Sequence, residues 1–258
     1  MHFTDADLLS LIQKYFWTFA RTGGLLMAAP LLTTAPRRVR LIFAVMLAVA
    51  LAPLLPAAPA LELFSAAWTF ALVQQLAIGI VMGFVLQLVF EAVVLGGELI
   101  AYGMGLSFAQ ITDPVNNSEV PLPGQFLIVV ASLLFLAMNG HLALIELLAH
   151  SFTALPPGSG GLGAKDFYAL VLFAGEMFSG GMRVALPAVI ALLLVNLAFG
   201  VVSRAAPALN IQSVGFPLSL VAGLWLLQLS LPALQTVFND SLAHAWQFLG
   251  AMLGGKHG

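Results

Sequence analysis

The stretch LFSAAWTFALVQQLAIGIVMGFVLQLVFEAVVLGGELIAYGMGLSFA, residues 63–109, decides the fold. Its 47 residues hold two carboxylates, Glu91 and Glu98, and no lysine or arginine. As one α-helix it would reach about 70 Å, more than twice the roughly 30 Å of bilayer hydrocarbon. It is therefore expected to bend, fold back or leave the membrane, with Gly96-Gly97, Gly103 and Gly105 as the break points. The charge deficit continues on both sides, since the 124 residues 41–164 carry no lysine or arginine. Only 8% of the 258 residues are charged and 61% are hydrophobic, with a mean hydropathy of +1.03. A water-facing surface is about 25–35% charged. Most of this surface must meet lipid or other protein.

Further apolar segments fall at residues 8–32, 41–55, 126–155, 167–202 and 214–238, separated by Pro- and Gly-rich breakers. Unpaired strands in lipid would leave backbone groups unsatisfied, and no ten-residue alternation of a membrane barrel appears. The fold class is all-α: a polytopic integral membrane protein of long bent helices and helical hairpins packed against partner subunits. Residues 1–258 read as one domain. Segment lengths of 15 and 47 residues fit a bilayer poorly, which favours helices that pack mainly on protein. Arg37, Arg38 and Arg40 form the one basic cluster and assign that loop to the cytoplasmic side, with Arg204 a candidate for the same side. The N-terminus has Asp5 and Asp7 but no basic residue before the apolar run, so it lacks a signal-peptide n-region and the first segment is expected to be retained.

Ionisable groups in apolar helices are functional candidates. Lys14 and Arg21, Glu91 and Glu98, and Glu176 and Arg183 are each seven residues apart and so share a helix face, and Gln87 joins the Glu91 face. They read either as a proton or cation path or as groups that pair with opposite charges or with partner subunits. Gly79 and Gly83 form a G-x-x-x-G that admits a second backbone at close range. No cysteine is present, which removes disulfides and thiolate chemistry. A net charge of -2 gives no basic footprint for nucleic acid. No H-E-x-x-H occurs, and Gly105-Leu106-Ser107-Phe108-Ala109 ends in Ala where a nucleophile elbow has Gly. Asn139-Gly140-His141 lacks an orienting partner and reads as a hydrogen-bonded structural cluster. Neither an enzyme nor a cofactor is expected.

Gly103-Met104-Gly105-Leu106-Ser107-Phe108-Ala109, followed by Asp113-Pro114 and Pro121, resembles the FliR family of flagellar export-gate proteins. Further matches run in order along the chain. They are Tyr15-Phe16-Trp17 with Arg21, Ala29-Pro30, Pro36 with Arg38-Val39, Ala52-Pro53, Gln74-Gln75 with Ile78-Gly79, Gly83-Phe84, and Leu134-Phe135-Leu136 with Asn139-Gly140-His141. Ser151-Phe152, Leu155-Pro156, Ala185-Leu186-Pro187, Asn196-Leu197-Ala198, Arg204 with Ala206-Pro207, Leu209-Asn210-Ile211 and Gly215-Phe216-Pro217-Leu218 complete the series. One departure is Tyr102-Gly103 before Met104, where the family has glutamine immediately before that methionine.

The resemblance implies a non-enzymatic subunit of the type III secretion export gate in the bacterial inner membrane, within the flagellar basal body. It would form a helical pore with FliP-like and FliQ-like subunits, with FlhB-like and FlhA-like export components as further partners and flagellar proteins passing through. It also implies that residues 105–121 help to close the pore. The closure set is Gly103, Met104, Gly105, Leu106, Ser107, Phe108, Ile111, Asp113 and Pro114. The glycines serve as hinges, Leu106, Phe108 and Ile111 as apolar obstructions that exclude water, and Asp113-Pro114 as the stop of the preceding helix. A homologous virulence (injectisome) gate subunit and a secondary transporter are the alternatives; a transporter would be expected to show repeated halves, and no long repeat is visible.

Overall fold

A computed structural model of the chain describes residues 5–30, 35–56, 61–106, 121–205 and 211–254. Among them run eight α-helices and no strand: α1 (Asp5–Ala28), α2 (Arg37–Leu51), α3 (Ala66–Gly103), α4 (Leu122–Ala137), α5 (Gly140–Ala154), α6 (Ala164–Phe173), α7 (Gly175–Ala205) and α8 (Ile211–Gly254). A 3₁₀ turn, Ala52–Leu54, follows α2. Among the described residues, three apolar stretches are long enough to cross a membrane: Ala66–Gly103, Ala164–Ala205 and Gly215–Gly254. The pair α4 and α5, bent by 66°, adds a fourth if it counts as one span. The all-α, polytopic membrane fold is thus as the sequence implies.

Several boundaries differ from the sequence expectation, each for a physical reason. The 38-residue α3 runs unbroken through Gly96-Gly97. These glycines serve close packing instead. A Cβ on Gly96 would come within 2.9 Å of Val184, and one on Gly97 would collide with the backbone of Gly124. The helix ends at Gly103, short of residue 109, at a glycine cap, and the expected stop at Asp113-Pro114 lies outside the described residues. The last helix extends well past residue 238, to Gly254, and carries Pro217 and Pro232 within it. At 44 residues it spans about 66 Å, more than hydrocarbon alone requires. The corner between α4 and α5 is made by Asn139, whose φ of 58° lies in the left-handed region that Asn tolerates. Beside it, bare Gly140 admits the ring of Phe135.

The chain clusters into two compact units. Unit 1 comprises Met1–Gln87, Phe135–Ala174 and His244–Gly258. There α1 and α3 meet through the predicted G-x-x-x-G. A Cβ on Gly79 would overlap the Arg21 carbonyl oxygen, and one on Gly83 would lie 2.5 Å from that of Leu25. Gly24 of α1 returns the contact, within 2.7 Å of the Leu76 carbonyl oxygen. The backbone that this motif admits therefore belongs to the same chain. Phe16 stacks on Trp68 at 5.3 Å beside the crossing, with Trp17 edge-on to Phe16.

Unit 2 comprises Leu88–Leu134 and Gly175–Ala243. Phe90 and Phe238 meet edge to face at 5.4 Å in its core, and Ile100, Leu127, Leu192 and Leu234 are fully buried. The outward sides of the long helices stay apolar. The most apolar window of α3 is 72% buried, whereas those of the Ala164–Ala205 and Gly215–Gly254 stretches are 22% and 28% buried. Leu193, Leu194, Leu197, Trp225 and Leu229 are among the exposed apolar side chains.

Candidate functional site

Two polar nodes stand out against this apolar background, one in each unit. The first centres on Arg21 of α1, which is fully buried. Its Nε donates to Gln75 Oε1 at 2.8 Å, one terminal nitrogen to Ser151 Oγ at 2.9 Å, and the other to the Leu155 carbonyl at 2.6 Å. The guanidinium carbon lies 4.0 Å from the ring centroid of Phe152, a cation–π contact. Every partner is neutral, so the expected pairing with an acid does not occur at Arg21. The counter-charge has another source. Leu155 caps the C-terminus of α5, where unpaired carbonyls carry roughly half a negative charge. The planar five-donor fork of arginine reaches three acceptors at once, which a lysine ammonium could not match in this geometry.

The second node holds the C-terminus of α3, the base of the segment expected to close a pore. Gly105 has φ +80°, and the Leu106 N–H bonds the Ala101 carbonyl at 3.1 Å while the Gly105 N–H bonds Tyr102 at 3.0 Å. This is a Schellman cap with glycine at its left-handed position. Met104 N–H satisfies Ile100, and the Gly103 carbonyl has no partner within the helix. Asn196 of α7 donates its Nδ2 to it at 3.3 Å, and its Oδ1 accepts from Ser219 of α8 at 3.1 Å. Buried Met104 packs on Gly223, and Phe216 and Leu192 lie against Gly105 and Gly103.

The remaining candidates scatter. Gln87, Glu91, Glu98 and Glu176 are half-buried, Arg183 is exposed, and no hydrogen bond or ion pair joins Arg183 to Glu176. Arg37 and Arg38 are exposed, and Arg40 Nε donates to the Ala35 carbonyl at 3.1 Å. Ser107, Phe108, Ile111, Asp113 and Pro114 lie outside the described residues. His141 Nδ1 is buried without the expected hydrogen-bond partner. Among the described residues no three His, Asp or Glu side chains gather as a metal site.

Sequence reasoning named Arg21, Gln75, Ser151, Phe152 and Leu155 separately without joining them. The available signal was a polar side chain inside each apolar helix together with a basic residue lacking a nearby acid. Similarly, Gly103, Asn196 and the residues around Phe216 were separate matches that the fold brings to one helix end.

The family model for "Bacterial export proteins, family 1" matches residues 12–245. The chain is 41% identical over 231 residues to the flagellar biosynthetic protein FliR of Escherichia coli K12, covering 89% of this chain and 88% of that protein. It is 36% identical over 253 residues to FliR of Pectobacterium carotovorum, covering 97% of each. With FliR of Aquifex aeolicus the identity is 32% over 244 residues, covering 92% of this chain and 91% of the relative.

Proposed function

This chain belongs to family 1 of the bacterial export proteins, and from that membership we propose that it is a non-enzymatic structural subunit of the flagellar type III protein export gate. In this reading it sits in the inner membrane at the flagellar basal body and forms a pore with FliP-like and FliQ-like subunits, through which flagellar proteins pass. FlhB-like and FlhA-like components dock to the same assembly. The flagellar relatives favour this over the injectisome form, for they extend along nearly the whole chain.

The observation that carries the proposal is the clamped end of α3. The Gly105 cap and the Asn196 bond hold the end of α3 next to Leu106, and the sequence that follows supplies the bulky apolar Phe108 and Ile111. A loop that shuts a pore by excluding water needs such an anchor and bulky apolar side chains beyond it. Partner packing is supported by the apolar outer faces of α7 and α8. Half-buried Glu91 and Glu98 belong, in this reading, to contacts with partner helices or a wet interior.

Partners that bind only the folded chain raise its stability. Expressed alone, the tagged full chain should aggregate or be degraded, and co-expression with FliP-like and FliQ-like subunits should yield a monodisperse complex. A stable chain that conducts ions or transports a solute without those subunits would overturn the proposal.

A further inference from the structure

Within unit 1, α1, α2 and α3 border a groove of about 550 Å³ that neither polar node uses. The volume lies in the range of sites that enclose an organic ligand, about 300–1,000 Å³. Phe19 and Met27 of α1, Leu41 of α2 and Leu76 of α3 make its wall apolar, and Arg37 and Arg40 stand on the same wall. The arginines come from the first turn of α2 and Leu41 follows them, so charge and apolar surface succeed one another along the groove.

The charge of Arg37 is uncompensated among the described residues, while Arg40 holds its place through a bond from Nε to the Ala35 carbonyl at 3.1 Å. The first turn of α2 has no acidic residue and no side-chain cap, although a helix N-terminus carries partial positive charge and favours anions. Arg37 makes no hydrogen bond or ion pair among the described residues. The floor of the groove is also unfilled: a Cβ on Gly23 would meet nothing within 4 Å, whereas one on adjacent Gly24 would strike backbone. The site thus offers cations and N–H donors at one end and an apolar channel beyond. Its complement is an amphiphile with an anionic head.

We propose that this groove binds one anionic phospholipid, with its phosphate on Arg37, Arg40 and the start of α2 and an acyl chain along Phe19, Met27 and Leu76. Free phosphate would leave the apolar wall bare, and a zwitterionic lipid would bring its own cation to the arginines. Basic pockets between membrane helices hold anionic headgroups by this same pairing. The proposal rests on the groove and not on the gate function.

The test uses the full chain in complex with its co-purifying subunits. After delipidation in detergent, the complex is titrated with phosphatidylglycerol or phosphatidylcholine and bound lipid is counted by native mass spectrometry. Phosphatidylglycerol should be preferred by at least about tenfold, the factor that one charge-assisted contact supplies. Arg37→Gln with Arg40→Gln should abolish that preference while the complex still assembles. Gly23→Leu, whose Cβ enters open space, should weaken both lipids by occupying the channel, and if it prevents assembly the arginine variant decides alone. Equal binding of the two lipids by the wild type, or an unchanged preference in the arginine variant, would overturn the proposal. So would a photo-crosslinking side chain at Met27 that captures a partner polypeptide rather than lipid.

Discussion

In unit 1 the C-terminus of α5 meets a buried guanidinium, and in unit 2 the C-terminus of α3 meets a neutral amide. Both arrangements answer one requirement, since the last carbonyls of a helix have no partner within it and cannot stay bare in an apolar setting. The solutions differ in strength. Arg21 makes three bonds of 2.6 to 2.9 Å from a fully buried position, all of them charge-assisted. Asn196 is exposed and makes bonds of 3.1 and 3.3 Å between neutral groups. The first ties α1, α3 and α5 together. The second holds, with modest energy, the helix end from which the proposed closure segment departs, which suits a part that must let go during export.

The largest effect is expected from breaking the strong node. Arg21→Met removes the cation and strands the acceptors on Gln75 and Leu155, at a cost of about 3 kcal/mol or more. The chain should fail to accumulate in cells and the complex should unfold at lower temperature. Arg21→Lys should fall between, because the charge stays while the fork is lost. Wild-type stability in Arg21→Met would erase the distinction between the nodes.

Gly105→Ala tests the cap. A left-handed residue with a Cβ costs about 1–2 kcal/mol. That should fray the end of α3 and raise ion leakage through the assembled gate with little loss of assembly. Asn196→Leu is the smallest change, forfeiting about 0.5–1.5 kcal/mol of hydrogen bonding. Thermal unfolding of the complex should move slightly while leakage rises. A large stability loss with unchanged leakage would make the second node structural like the first.

The sequence made the helical content, the G-x-x-x-G crossing and the glycine-rich end of α3 legible, because each is local. The nodes were not legible as nodes. Arg21 meets Gln75, Ser151 and Leu155 across separations of 54, 130 and 134 residues, and nothing in a pattern of apolar segments says which polar side chains converge. The misplaced break at Gly96-Gly97 has the same origin. Glycine there relieves contact with Val184 and Gly124 on other helices, which from sequence looks identical to a weak point. The apolar segment read as 214–238 does contain Pro217 and Pro232, and the helix runs through both; only its end at Gly254 was missed.

The central claim, that residues following the clamped end of α3 close a pore, is tested most directly by conductance. Leu106, Phe108 and Ile111 are changed together to Ser, the variant is assembled with the FliP-like and FliQ-like subunits, and ion flux through the purified complex is measured in a planar bilayer. The account predicts a correctly assembled complex that leaks ions where the wild type is shut. An assembled variant as tight as the wild type would contradict it.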